Sequence, residues 1–165
     1  MSQVDSVLHV AHQFDGIREE QSNRSLQIDF MNWWTIRDMR PFPVGGLGAS
    51  WCATFVALCG RLGIGAEWPI PDGAQYSDVD NLFEWGGQEE VLYDEPERGD
   101  LFLVPDGGGG FGHVGFVDTT VGSDDFFTIE GNTNDGGSAN GEGVYERIRS
   151  KKELTFVRWA EVVNR

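Results

Sequence analysis

The opening stretch "MSQVDSVLHVAHQFDGIREE" carries Val4, Val7, Leu8, Ala11 and Phe14 at helical spacing, so an amphipathic helix begins the chain. Leu26, Phe30, Trp33 and Trp34 repeat the pattern and predict a second helix, with "QSNRS" supplying the break and a cap. The following "MRPFPVGGLGA" holds two prolines and three glycines, which deny it helix and ladder hydrogen bonds, and it reads as a loop. From Ser50 the pattern changes. Ser50 suits an N-cap, Trp51 to Leu62 is apolar all round with Gly60 as its only helix breaker, and Gly63 suits the stop. A helix without a polar face belongs at the centre of a fold.

The second half of the chain alternates instead. In "HVGFV", Val114 and Phe116 alternate with His113, Gly115 and Val117, so His113 stands at the mouth of a strand. In "FFTIEGN", Thr128, Glu130 and Asn132 point to one face and Phe127 and Ile129 to the other. The intervening "DTTVGSDD" is turn-rich and short enough for an antiparallel hairpin, which brings Glu130 near His113. "GVYERIRS" and "LTFVRWAEV" read as closing strands, with Val144, Ile148, Phe156 and Trp159 in the core. The pattern gives one α+β domain over residues 1–165, helices first and an antiparallel sheet after, with no internal repeat and no long linker.

Bulk composition narrows the partners. The 27 acidic and 12 basic side chains leave a formal net charge of −15, and Lys151 and Lys152 are the only lysines. Such a chain neutralises no phosphates, which argues against nucleic acid. An acidic surface draws amine-bearing substrates and is repelled by anionic lipid or teichoic-acid-rich surfaces, although solubility alone also accounts for it. No apolar run is long enough to span a membrane and the start lacks a basic leader with an apolar core, so neither membrane insertion nor a secretory signal is expected. Cys52 and Cys59 are the two cysteines, and about 10 Å of helix rise separates them, too far for a disulfide within one helix.

Candidate chemistry centres on Cys52. In the first turn of its helix, unpaired amides and the positive dipole end favour a thiolate, whereas Cys59, near the other end, gets no such help and burial raises its pKa. A cysteine in an apolar run is ordinarily a small core residue, so a nucleophile needs a base. Of three histidines, His9 and His12 lie three apart in the first helix without a matching ligand cluster and read as surface residues. His113 follows "PDGGGGFG", a loop whose glycines, Gly112 among them, let backbone approach a ligand. A nucleophilic Cys52, a base His113 and an orienting Glu130 then form a self-consistent set, with Asn132 either sharing the orienting role or donating to an oxyanion. The backbone amide of Cys52 is a second oxyanion donor.

"WCATFV", "ERGDLFLV", "GHVGFV" and "IEGNT" occur in that order, and together they resemble the CHAP family, cysteine, histidine-dependent amidohydrolases and peptidases of the papain-like NlpC superfamily. The resemblance covers roughly residues 4 to 150. It implies a papain-like cysteine peptidase fold with the nucleophile at the start of a central helix. It also implies cleavage of peptidoglycan, at the N-acetylmuramoyl-L-alanine amide or within the stem peptide and cross-bridge, with Cys52, His113, Glu130 and Asn132 catalytic. Trp51, beside the nucleophile, and Gly112 are candidate substrate contacts, while Trp33, Trp34 and Trp85 at helical spacing suit a core. Asp100, by the family pattern, sits in a turn and is structural.

No cofactor or metal is expected: "NTNDGGSANGEG" is acidic and Gly-rich but lacks the register of a calcium loop. The expected form is a monomeric lysin without a separate wall-binding module. It is made in the cytoplasm and reaches the wall or periplasm through a phage holin or a secretion system. Two other readings stay open, a hydrolase of a different amide and a non-catalytic structural or wall-binding module such as a phage tail component.

Overall fold

A computed structural model describes residues 1–17, 51–71, 78–133 and 143–165. The predicted second helix with Trp33 and Trp34, the Pro/Gly loop, Ser50 and most of the "NTNDGGSANGEG" loop fall outside these residues. Helix α1 (Gln3–Gln13) starts at Ser2, whose side chain accepts a bond from the amide of Asp5 while the Asp5 carboxylate accepts from the Ser2 amide, and it buries Val7, Leu8 and Ala11. Helix α2 (Cys52–Ile64) is the apolar central helix, with Trp51 in the capping position and no side-chain cap.

The stop of α2 differs from the sequence expectation. The chain leaves the helix at Gly65, whose φ of 61° requires the left-handed region, and Gly63 is still helical. Gly63 has a different task. A Cβ there would lie 2.8 Å from Cα of Val7, so its absence lets α1 lie directly on α2. Cys59 is consequently mid-helix rather than near the end, while its burial does raise its pKa well above the ordinary thiol value.

A short 3-10 turn (Gly65–Glu67) leads to helix α3 (Val79–Gln88), capped by Asp78, whose carboxylate accepts from the Asp80 amide at 3.0 Å. The strands β1 (Leu92–Tyr93), β2 (Leu101–Pro105), β3 (Phe111–Val121), β4 (Asp125–Thr133), β5 (Gly143–Ser150) and β6 (Thr155–Val157) form one antiparallel sheet in the order β1-β6-β2-β3-β4-β5. The predicted β3/β4 hairpin is present, pairing Phe116 with Ile129 and Val121 with Asp125. "LTFVRWAEV" yields only three strand residues before the short helix α4 (Ala160–Val163), though Phe156 and Trp159 are buried as expected.

The sheet separates two cores. On one face Leu101, Leu103, Val114, Phe116, Ile129 and Val157 pack with the helices around Phe55, Val56 and Leu58. On the other, Phe102, Val117, Phe126 and Phe156 cluster together. Strand β5, at the sheet edge, has the opposite phase to that expected along most of its length. Val144 is buried, but Ile148 is 63% exposed, paired with the exposed Phe127 across the strand. Arg147 and Arg149 are the partly buried side chains instead. Asp100 is structural, buried and bound to Arg158 and to the Glu97 amide. Among the described residues no helix is long and apolar enough to cross a membrane.

Candidate active site

Cys52 occupies the first helical position of α2 and is 1% exposed. The helix reaches β4 here because Gly131 has no side chain. A Cβ on Gly131 would stand 2.6 Å from Cβ and Cγ of Phe55 and 2.7 Å from the Trp51 ring. Trp51, a candidate substrate contact by its place beside Cys52, is 1% exposed and packs edge-on to Phe55 at 6.4 Å. The aromatic spacing of Trp85 is core as expected.

His113 is the third residue of β3 and fully buried. The Gly-rich loop before it is held rather than loose. Asp106 accepts from the amides of Gly108 and Gly110 at 2.6 and 3.1 Å, and Asp80 of α3 accepts from the Phe111 amide at 2.7 Å. Gly112 remains exposed beside His113. Nε2 of His113 lies 2.8 Å from Oε2 of Glu130, which is also fully buried. The other ring nitrogen, Nδ1, is buried without a hydrogen bond of ordinary geometry, and the thiol of Cys52 interacts with the ring.

Glu130 has further partners, Thr128 and Arg149. Nε of Arg149 donates to Oε1 and an Nη donates to Oε2, both at 2.6 Å, and the Thr128 hydroxyl donates to Oε1 at 2.5 Å. Burial, the largest influence on Glu130, favours the neutral acid, but Arg149 and His113 outweigh it and bring its pKa to about 2. Burial likewise disfavours a charged His113, and Cys52 and Glu130 overcome it, raising the imidazole to about 9. An ionised carboxylate only accepts, so Nε2 carries the proton in the His113–Glu130 bond.

Asn132 is buried, but it does not simply continue the Thr128 and Glu130 face. The β4/β5 register shifts between Glu130 and Thr133, and Asn132 has a φ of 59°, a left-handed conformation that asparagine tolerates better than most residues. Away from this site, His12 lies 3.1 Å from Asp118 and 3.0 Å from Glu146, two carboxylates the sequence spacing did not reveal. They meet opposite ring nitrogens and so do not converge on one point. Among the described residues no group of three or more His, Cys, Asp or Glu is arranged to hold a metal ion.

Comparison with known proteins places this geometry in context. The CHAP domain family model matches residues 44–132, a span that includes Cys52, His113, Glu130 and Asn132. No curated protein matches. Among solved structures, Ly7917 is similar at 17% identity and a TM-score of 0.51 over 94% of this chain and 62% of its own. An N-acetylmuramoyl-L-alanine amidase from Staphylococcus aureus is similar at 14% identity and a TM-score of 0.43 over 73% of this chain and 34% of its own. The chain thus spans less than two thirds of either structure, and the first of these likenesses concerns the fold alone. Since the family match covers more than half of the 165 residues, the chain belongs to the CHAP domain family.

Proposed function

We propose that the protein is a peptidoglycan hydrolase that cuts an amide bond of the cell-wall peptide through a thioester on Cys52. The observation that carries this reading is the linked set of a helix-start thiol, an imidazole it interacts with, and a buried carboxylate 2.8 Å from the far ring nitrogen. The fold is read as papain-like from the CHAP family match and from the apolar helix that starts at Cys52 and packs on the antiparallel sheet.

In this reading the Cys52 thiol gives its proton to Nδ1 of His113, and the sulfur attacks the scissile carbonyl carbon. The amide of Cys52, at the start of α2, donates to the developing oxyanion, and Asn132 either joins it or helps hold the imidazole. When the C–N bond breaks, His113 returns the proton to the leaving amine. Water then attacks the thioester, giving one proton to His113; as the C–S bond breaks His113 passes that proton to sulfur, and the carboxylic acid product loses its own proton to solvent. Glu130 supports the imidazolium at each stage. Gly112 leaves open backbone beside His113 for substrate. No step calls on a cofactor.

Either the N-acetylmuramoyl-L-alanine amide or a stem or cross-bridge peptide bond suits this chemistry, and delivery as a phage endolysin or an exported effector suits a lytic role. Mass spectrometry of fragments released from purified peptidoglycan tests the reading and identifies the bond. New free amines lost in Cys52→Ala and retained in Cys59→Ala support it. A folded protein that releases nothing from any wall chemotype overturns it and favours a binding module or another amide substrate.

A further inference from the structure

Resting on the nucleophile reading above, we infer that Arg149 is a positioning residue: by closing both oxygens of Glu130 it keeps that carboxylate an acceptor and keeps the His113 proton on Nε2.

An ionised carboxylate offers about four lone-pair sites. Here all four are taken, Oε1 by Thr128 and Arg149, Oε2 by Arg149 and His113. There is no vacant site for a proton on Glu130, so the carboxylate cannot donate to Nε2. The Nδ1 lone pair is thereby left for the thiol. Without Arg149, one site on each oxygen opens in a buried carboxylate, and burial then favours the protonated acid. A protonated Glu130 donates to Nε2 and drives the ring proton to Nδ1, where it blocks acceptance from Cys52.

Arg149 is itself held in place. Its guanidinium lies 5.2 Å from the centre of the Phe102 ring, a residue of the second core, so the fork is pinned by a cation–π contact as well as by the carboxylate. The other groups around Glu130 are His113 from β3, Thr128 from β4 and Tyr145, its cross-strand partner on β5, with Arg147 over the Tyr145 ring. Cys52 of α2 acts on it through the imidazole.

The test compares wild type, Arg149→Met and Arg149→Lys. Iodoacetamide labelling of Cys52 and Cys59 is followed from pH 4 to 9 with site assignment by mass spectrometry, alongside NMR titration of the three histidines and thermal melting. In the wild type, Cys52 labels faster than Cys59 with no step between pH 4 and 7. In Arg149→Met a new step enters that window, and at any pH below the raised Glu130 pKa Cys52 labelling falls by about tenfold for each unit by which that pKa exceeds the pH. Arg149→Lys restores the charge without the fork and recovers part of the loss.

Profiles of Arg149→Met and wild type that superimpose overturn the inference. So does a variant in which both cysteines label faster and melting falls with no new step, since that is a structural role alone. The labelling uses no substrate, so the two readings fail separately. A wild type with selective, Arg149-dependent Cys52 labelling that releases no wall amines refutes the proposed substrate and supports the role of Arg149.

Discussion

Replacing Gly131 with alanine tests whether helix-to-strand contact sets the reactive geometry. The new methyl carbon would sit 2.6 Å from Cβ and Cγ of Phe55 and 2.7 Å from the Trp51 ring, whereas carbon atoms settle at about 3.5 to 4.0 Å. Rotating Phe55 moves its Cγ but not its Cβ, which is fixed to the backbone of α2. The first turn of the helix must therefore retreat by about 1 Å, and Cys52 with it. Overpacking of this kind costs about 1–3 kcal/mol. At about 2–4 °C per kcal/mol for a chain of this size, melting falls by roughly 2–12 °C. A 1 Å displacement of a reacting group can cost about 100-fold in rate.

Gly60→Ala is the control. Its methyl would meet the Trp68 ring at 2.1 Å, on the same helix but eight residues beyond Cys52, so it should destabilise at least as much. Circular dichroism melts, selective Cys52 labelling and wall-amine release are measured for both variants below their melting points. Gly131→Ala should lose far more reactivity per degree of melting than Gly60→Ala. Equal losses per degree would refute the claim that Gly131 sets the approach of Cys52.

Other expectations follow from the same contacts. Glu130→Gln removes one partner of a buried ion pair and leaves Arg149 uncompensated, which should cost about 3–5 kcal/mol in denaturant unfolding; a loss under about 1 kcal/mol would contradict the buried network. The pH dependence has two limbs. Glu130 is depressed from 4.5 to about 2, so its contribution is present above the unfolded pKa and is lost as pH falls towards 2. His113 is raised from 6.5 to about 9, so its contribution is complete below 6.5 and is lost as pH rises through 9. Urea midpoints should therefore peak between about 4.5 and 6.5 for this pair's share, and a His113→Ala, Glu130→Ala double variant should flatten both limbs. Ile148→Thr, at an exposed position, should change stability by no more than about 0.5 kcal/mol, and a larger loss would return that residue to the core.

The residues of the candidate site were legible where local periodicity decided their place. Cys52 followed from an apolar run preceded by a loop, and the meeting of His113 and Glu130 followed from two alternating strands joined by a short turn. Arg149 was missed because "GVYERIRS" alternates in both phases, and the apolar pair Val144 and Ile148 decided the choice. At an edge strand that rule weakens, and the ionised Glu130 on β4 needed a cation more than the core needed Ile148. The signal was available: a carboxylate expected inside the fold demands a positive partner, and few basic residues exist to supply one. Helix α3 was also present in the spacing of Val79, Leu82 and Trp85 after Asp78. The bulge at Asn132 and the packing role of Gly63 depend on contacts between distant segments, which no local pattern encodes.

The members of the charged network lie close together along the chain. Seventeen positions separate His113 from Glu130 and 19 separate Glu130 from Arg149, whereas Cys52 is 113 − 52 = 61 positions from His113. Short loops close at lower entropic cost, so the strands hold a cluster that adjacent hairpins can assemble, and the sulfur joins it only across a long loop. Reactivity then belongs to the finished tertiary structure. On the proposed mechanism, a nascent chain, or a native molecule whose central helix has briefly lifted from the sheet, would carry an ordinary thiol, and the Cys52–His113 pair would form only once that helix docks.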